Sequence, residues 1–272
     1  MIKTHKMAWD KCLSHQIWPA IEKSWKDEGK DVHFFWGLAA NNRPAIQQCI
    51  DWGIEWWFVD TGYLSNQITR YPIPVINDFD KTYFRIIKGG IHTNKFNTTT
   101  PDRRNKLIKQ GIDAEFKGWK DNGEHILLCP SSITVTDYVD GVSQVEWQKQ
   151  TTKKLEKITN RPVMFRNKPR PGNQWWQTNI KDDIKNAWCV ITNMSLAAID
   201  GVLNMTPAFT HQKHVASLIT SQKIEEVEKP YKPEREKVEE WLNMVANHQF
   251  TIQEIEDGLA FDTLKVQYQN GG

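Results

Sequence analysis

The sequence has 272 residues, which is long enough for one large domain or two smaller domains with separate cores. Hydrophobic residues make up 39% and charged residues 25%, and no apolar run approaches the roughly 20 residues that cross a bilayer. The N-terminus lacks the apolar stretch of a signal peptide, so we expect a cytoplasmic protein with no membrane partner. Cys12, Cys49, Cys129 and Cys189 are far apart and form no CxxC pair, which argues against a zinc site or a disulfide framework.

The net charge of +2 hides a local asymmetry. Residues 81–120 carry ten Lys or Arg against three Asp or Glu, whereas residues 221–272 carry six against eleven. A basic block suits a polyanionic partner, because phosphate contacts depend on clustered Lys and Arg rather than on total charge. A solvated helix face explains the same block equally well, so charge alone leaves both interpretations open.

The first part of the chain predicts a helix followed by a βαβ unit. Apolar runs at residues 32–38 and 54–59 indicate buried strands, and residues 45–52 between them indicate a helix. Ahead of this unit, an amphipathic helix is expected over the first 27 residues, with a kink at Pro19. Its apolar positions recur at helical spacing: Trp9, Leu13, Ile17, Ile21 and Trp25.

The next stretch is less regular: residues 83–87 suggest a strand, and residues 101–110 suggest a basic helix. A second alternation of strands and helices follows it. The alternation indicates a second parallel sheet. We therefore expect two domains, residues 1–120 and 121–230, followed by helices in residues 231–272. Strands are expected at 125–129, 162–166 and 188–192, and helices at 144–158, 180–186, 196–203, 234–247 and 252–259.

A small polar turn, Asn193-Met194-Ser195, follows the strand predicted at 188–192. Ser195 is placed to cap the next helix, and helix N-termini at the carboxyl ends of parallel strands bind phosphate readily. Asp200, inside that helix, is placed to accept a hydrogen bond from a ribose hydroxyl. An ordinary capped helix has the same pattern, so the residues alone do not separate a phosphate site from a structural cap.

The stretch from Trp188 to Pro207 resembles the donor domain of GT-B glycosyltransferases, with its strand, Asn-x-Ser turn and small-residue helix. It is especially similar to phage-encoded glycosyltransferase-like proteins, in which this block follows a basic strand end such as Arg166-Asn167-Lys168-Pro169-Arg170. The resemblance implies an α/β, GT-B-like fold: two Rossmann-like domains facing a central cleft, with C-terminal helices packing back across them. Other similar stretches are residues 35–42, 60–63, 83–86, 91–92, 241–242 and 249–251.

The resemblance also implies a nucleotide-sugar donor, with UDP-glucose expected. Basic side chains and turn N–H groups would neutralise the departing diphosphate, so we expect no cofactor and no essential divalent metal ion. Asp200 would take the ribose, although the longer Glu is common at that position and Asp has a shorter reach. The implied donor-binding residues are Ser131, Ser132, Arg166, Lys168, Arg170, Asn193, Met194, Ser195 and Asp200.

Inverting transfer needs a base beside the acceptor hydroxyl, which we expect from the N-terminal domain. Asp60 is the first candidate catalytic residue because it ends the second predicted strand, and His92 is the second. A turn-capping role for Asp60 and a simple hydrogen-bonding role for His92 remain open. Asp78-Phe79-Asp80 spells the DxD motif of metal-dependent enzymes, but Pro72 and Pro74 interrupt the strand that should precede it. No metal ligands are therefore predicted.

The phage resemblance makes double-stranded DNA carrying 5-hydroxymethylcytosine the expected acceptor, in the cytoplasm of an infected bacterium. An enzyme acting on a base inside a duplex must extrude and stack that base while it holds the phosphates. A glycosyltransferase acting on a protein or surface glycan would keep the donor site without the basic block. A non-catalytic DNA-binding module would keep the block and tolerate loss of Ser195 and Asp200. The candidate phosphate contacts are Lys95, Arg103, Arg104, Lys106 and Lys109.

Overall fold

The structure is a computed structural model that describes residues 1–5, 13–26, 29–38, 41–96 and 99–269. The chain divides into two compact units. The first unit is Met1–Asp113 together with Asn243–Gly272, and the second unit is Ala114–Leu242. These bounds differ from the expected ones, because residues 114–120 and 231–242 belong to the second unit.

The first unit contains a mixed sheet with the strand order β1-β2-β3-β6. Strands β1, β2 and β3 are parallel, and β6 runs antiparallel to β3. The predicted βαβ unit is confirmed as β2, α2 and β3. The elements are β1 Ile2–His5, α1 Ser14–Ser24, β2 Val32–Trp36, α2 Asn42–Asp51, β3 Glu55–Thr61, the hairpin strands β4 Ile68–Thr69 and β5 Val75–Ile76, β6 Phe84–Lys88, and α3 Asp102–Lys109.

The N-terminal prediction is wrong at its start. Residues 2–5 form strand β1, which pairs with β2 from Ile2 opposite Val32, where a helix was expected. Four residues are too few to show a strand period, and pairing with β2 decides their conformation. The helical spacing is confirmed for α1, which contains Pro19 and buries Ile17 and Ile21. The predicted positions Trp9, Cys12, Ala39 and Ala40 lie outside the described residues.

The second unit contains a parallel sheet with the strand order β10-β9-β7-β8. The predicted second parallel sheet is confirmed, although its strand β10 was not predicted. Helix α4 was not predicted, because its sequence ITVTDYVD is rich in β-branched residues. Local signals place the helix instead: Ser132 caps its start, and Gly141 ends it with φ of 67°. The elements are β7 His125–Leu128, α4 Ile133–Asp140, α5 Gln144–Leu155, β8 Val163–Phe165, α6 Ile180–Ile184, β9 Ala187–Ile191, α7 Ala197–Leu203, β10 Ala208–Phe209 and α8 Arg235–Asn247. The last five residues of α8, 243–247, belong to the first unit.

Two short helices complete the first unit, α9 Ile252–Glu256 and α10 Leu259–Gln269. Glu254 forms a capping box with Thr251 and also accepts hydrogen bonds from Arg103 at 2.9 and 3.0 Å. Burial alone would raise the pKa of Glu254, but these bonds and the charge of Arg103 lower it to about 2. Across the described residues, no helix has both the length and the apolarity that a membrane span requires.

Acidification should destabilise the first unit through His248. This side chain is buried and donates from Nδ1 to the Met244 carbonyl at 2.7 Å, and burial lowers its pKa from 6.5 to about 4. Between these values the unfolded chain binds the proton and the folded chain does not, so the free energy of unfolding falls by up to about 3 kcal/mol as the pH drops and then levels off. Urea midpoints at about pH 7 and about pH 5 measure this, and His248→Gln should reduce the difference, to which the lowered pKa of His5 also contributes. A His248→Gln variant with the wild-type pH dependence would contradict the assignment.

Candidate functional site

The four strands of the second unit end at one edge of its sheet. The register pairs Leu128 of β7 with Phe165 of β8 and with Ile191 of β9, and it pairs Ile191 with Phe209 of β10. Ligands of open parallel sheets bind outside such carboxyl ends. Most of the predicted donor residues lie on the segments that begin at this edge, which are residues 129–132, 166–170, 192–195 and 210–214.

Ser131 and Asn193 connect the turn after β7 to the turn after β9. The Ser131 N–H donates to Asn193 Oδ1 at 2.9 Å, and Ser131 Oγ accepts from the Met194 N–H at 3.0 Å. Asn193 Nδ2 donates to the Asp140 carboxylate at 2.6 Å and to Thr136 Oγ1 at 3.3 Å. Ser131, Asn193 and Met194 are buried. The side chains of Ser131 and Asn193 are thus committed to holding the two turns together.

Ser195, Ser132 and Asp200 are half-buried at the same edge of the second unit. Ser195 Oγ accepts from the Ala197 N–H at 3.3 Å, and the Ser195 N–H donates to Thr192 Oγ1 at 3.0 Å. Ser132 caps α4, and Asp200 lies in the first turn of α7. Because the three side chains are partly exposed, a ligand in solution can reach them. The side chains of Ser131 and Asn193, in contrast, are buried.

The three predicted basic residues after β8 have different environments. Arg166 is buried, and its guanidinium donates to the Asp183 carboxylate and, at 3.1 Å, to the Thr178 carbonyl. Lys168 and Arg170 are exposed. Arg166 therefore makes internal contacts, while the other two cations face solvent.

Two histidines after β10 were missed by the sequence reasoning. His211 is half-buried, its N–H donates to the Asn193 carbonyl at 3.1 Å, and its Nδ1 accepts from the Lys213 N–H at 3.1 Å. Burial lowers the pKa of His211. His214 is buried, with Nε2 at 3.1 Å from the Ser195 carbonyl. The available signal was a pair of histidines spaced by two residues, but the two-residue strand β10 before them has no recognisable pattern.

Asp60 of the first unit is the penultimate residue of β3, and it pairs with Arg85 of β6. Its Oδ1 accepts from the Thr61 N–H at 2.7 Å, its Oδ2 lies 3.2 Å from Arg85 Nη2, and its side chain is 34% exposed. The buried Arg85 lies over the ring of Tyr63 at 5.4 Å, and Tyr63 meets His92 edge to face at 5.9 Å. The two predicted catalytic residues thus share one neighbourhood. Its other members, Arg85 and Tyr63, lie in stretches that resemble the glycosyltransferases but were not named as site candidates.

The turn after β3 requires glycine at position 62. A Cβ at Gly62 would lie 2.8 Å from both the Cβ and the carbonyl oxygen of Tyr83. Just beyond this turn, Gln249 Oε1 accepts from the N–H groups of Tyr63 at 2.7 Å and of Leu64 at 3.0 Å. The backbone next to Asp60 is therefore held by a residue from the C-terminal part of the first unit.

The predicted nucleic-acid contacts also differ in environment. The Arg103 guanidinium is engaged by Glu254 and by backbone carbonyls, so this residue stabilises the first unit. Lys106 donates to the same carboxylate at 2.9 Å, and Arg104 donates to Asn243 Oδ1 at 3.3 Å. The exposed members of the set are Lys95, Lys106 and Lys109.

Asp78 and Asp80 form a turn. Asp78 Oδ1 accepts from the Asp80 N–H at 3.1 Å and from the Lys81 N–H at 3.2 Å, as expected for an acidic side chain that closes a loop. Within the residues that the structure describes, no group of three or more His, Cys, Asp or Glu is arranged to hold a metal ion.

Two cavities lie at the opposite, amino-terminal edges of the sheets. One of about 590 Å³ in the first unit is lined by residues that include Cys49, Trp56 and Lys88. The other, of about 370 Å³ in the second unit, is lined by residues that include Arg161 and Trp188. Neither cavity contains a residue predicted for the donor or catalytic site.

Two α/β units with polar turns at the carboxyl edges of their sheets define a fold of the GT-B type. Two solved structures from Thermosulfurimonas dismutans share it. The KpsC beta Kdo 2,7 transferase aligns with a TM-score of 0.53 and 12% identity over 97% of this chain and 99% of that chain. The KpsC beta Kdo 2,4 transferase aligns with a TM-score of 0.52 and 12% identity over 89% of each chain. The expected GT-B-like fold is confirmed.

Identity this low supports the fold and leaves the chemistry to the site itself. No protein-family model and no curated protein sequence matches this chain. The activity must therefore be argued from the residues at the sheet edges.

Replacing Asn193 with Ala should destabilise the second unit. The change leaves the buried Ser131 N–H without its acceptor and removes a donor to Asp140, which should cost about 2 kcal/mol. Thermal or urea unfolding measures the loss. Asn186→Ala is the matched control, because Asn186 is exposed in the same unit and the change should cost less than about 0.5 kcal/mol. Equal losses in the two variants would show that Asn193 does not hold the turns together.

Proposed function

We propose that this protein is a glycosyltransferase that binds a nucleotide sugar at the carboxyl edge of the second unit's sheet. The observation that carries the proposal is the pair of turns joined by Ser131 and Asn193 on a GT-B-like fold. This link fixes two backbone segments where parallel sheets bind phosphorylated ligands. Hydrogen bonds that already exist before the ligand arrives reduce the ordering cost of binding.

Exposed cations near this edge supply charge for the donor diphosphate. Lys168 and Arg170 follow β8 and face solvent, and the half-buried Ser195 offers a hydroxyl. Asp200, half-buried in α7, is our candidate for the ribose contact. Charge-assisted contacts stabilise a leaving diphosphate without a metal ion. UDP-glucose is the donor that we propose, from the resemblance of this region to phage glycosyltransferases.

Asp60 is our candidate for the base. As the acceptor oxygen bonds to the anomeric carbon, the bond from that carbon to the diphosphate oxygen breaks, and the acceptor proton moves to the Asp60 carboxylate. The buried Arg85 at 3.2 Å orients this carboxylate, and the side chain remains 34% exposed. His92 belongs to the same neighbourhood through Tyr63 and is the second candidate.

The acceptor that we propose is 5-hydroxymethylcytosine in phage DNA inside an infected bacterium. The exposed Lys95 and Lys109 support it as phosphate contacts. Tyr71 and Phe79, 57% and 54% exposed in the segment after Asp60, are suited to stacking on an extruded base. A glycan acceptor is the second candidate, because the two solved structures described above are Kdo transferases by name.

Mass spectrometry tests donor and acceptor together. The protein is incubated with hydroxymethylated duplex DNA and a panel of UDP-sugars, and the DNA nucleosides are then analysed, with unmodified DNA as the control. A hexose added only to the hydroxymethylated base supports the proposal. Transfer to an oligosaccharide from an activated Kdo donor, with DNA unchanged, would assign the glycan acceptor instead. Failure of every pair to release nucleotide would overturn the glycosyltransferase proposal.

Asp60→Asn should abolish turnover while nucleotide binding persists. The amide cannot accept the acceptor proton, and loss of a general base lowers kcat by about 100-fold or more. Donor binding by the second unit should stay within about twofold, as calorimetry would measure, because the substitution removes no donor contact. Asp78→Asn is the control, since Asp78 is a turn acid of the same unit and its substitution should leave kcat near wild type. Full activity in Asp60→Asn would exclude Asp60 as the base.

A further inference from the structure

The segment between β8 and α6 combines cations and aromatic rings in one short loop. Residues 167–179, here called the tryptophan loop, begin at the carboxyl end of β8. Lys168 and Arg170 are exposed, and the adjacent Trp175 and Trp176 are half-buried. Two adjacent indoles that keep part of their surface exposed can contact a ligand.

Asn173 organises the loop from its centre. Its Oδ1 accepts from the N–H groups of Arg170 at 3.3 Å and of Trp175 at 3.2 Å. Its Nδ2 donates to the Lys168 carbonyl at 3.2 Å. One amide side chain therefore links the backbone of the two cationic residues to the backbone of Trp175, which holds these positions of the loop close together.

Arg166 anchors both ends of the loop. Its N–H donates to the Leu128 carbonyl of β7 at 3.0 Å, which fixes the start of the loop to the sheet. Its guanidinium donates to the Thr178 carbonyl at 3.1 Å and to the Asp183 carboxylate, which fixes the end. The buried guanidinium is occupied by these partners, so Arg166 acts on the loop and not on a ligand.

A nucleotide matches this loop chemically. Bases stack on tryptophan because both present flat polarisable faces, and diphosphates bind clustered Lys and Arg through charge-assisted hydrogen bonds. A neutral sugar would contact the rings and not the cations. Free pyrophosphate would contact the cations and not the rings. A nucleoside diphosphate engages both sets of side chains at once.

We propose that the tryptophan loop is the nucleotide-recognition element, in which Trp175 and Trp176 contact the base and Lys168 and Arg170 bind the phosphates. Arg166 is a positioning residue for this loop and not a phosphate ligand. This inference rests on the proposed function, because it assigns the nucleotide half of the donor. It also removes Arg166 from the set of direct diphosphate contacts.

Calorimetric titrations with UDP, uridine and pyrophosphate test the loop directly. The double variant W175A/W176A should weaken UDP binding by about tenfold or more and leave pyrophosphate binding unchanged. The double variant K168A/R170A should weaken UDP and pyrophosphate binding alike. The controls are Trp52→Ala, an exposed tryptophan of the first unit, and K153A/K154A, exposed cations of α5. Both controls should bind UDP as the wild type does.

The role of Arg166 is tested through its partner. Asp183→Asn removes the charge that holds the guanidinium inward. If Arg166 positions the loop, Asp183→Asn should weaken UDP binding and speed amide hydrogen exchange in residues 167–179. If Arg166 were a phosphate ligand, freeing it from Asp183 would strengthen UDP binding, and that result would overturn the positioning role.

The outcomes separate this inference from the proposed function. If UDP binds the wild type and both loop double variants with equal affinity, the proposed role of the tryptophan loop is overturned. The nucleotide would then bind elsewhere on the enzyme. No binding of UDP or any other nucleotide diphosphate to the wild type would overturn the loop and the nucleotide-sugar donor together.

Discussion

The candidate donor site depends on one constraint: parallel strands deliver the segments that follow them to the same edge of the sheet. In the second unit this brings together the turns after β7, β8, β9 and β10, which are far apart in sequence. The link between Ser131 and Asn193 then fixes two of these turns relative to each other. A ligand at this edge meets an arrangement that folding has already ordered, and this preorganisation is what a phosphate site requires.

Both units use buried or half-buried arginines to hold the segments around their candidate sites. Arg166 joins β7 to the end of the tryptophan loop, and Arg85 holds the carboxylate of Asp60 at the end of β3. Arg103 connects α3 to the capping box of α9 through Glu254. In each case a planar guanidinium with several donors bridges a carboxylate and a backbone carbonyl, which a lysine side chain cannot do in the same geometry.

Long apolar runs made the sheets predictable, and strand ends made Asp60 and the Asn193 turn recognisable as candidates. Strand β1 and strand β10 were missed because short segments carry no period, and their pairing partners decide their conformation. The roles of Arg103 and Arg166 could not be read from the sequence either. An arginine in the sequence indicates a positive charge but not its partner. Only the fold shows that Glu254 pairs with Arg103 and that Asp183 pairs with Arg166.

Hydrogen exchange measured by mass spectrometry, with and without UDP-glucose, tests the central claim most directly. The account predicts slower exchange in residues 129–136, 166–179, 192–197 and 210–214, the segments at the carboxyl edge of the second unit's sheet. Unchanged exchange in these segments, with protection instead at residues 121–124 and 185–188 beside the amino-edge cavity, would contradict it.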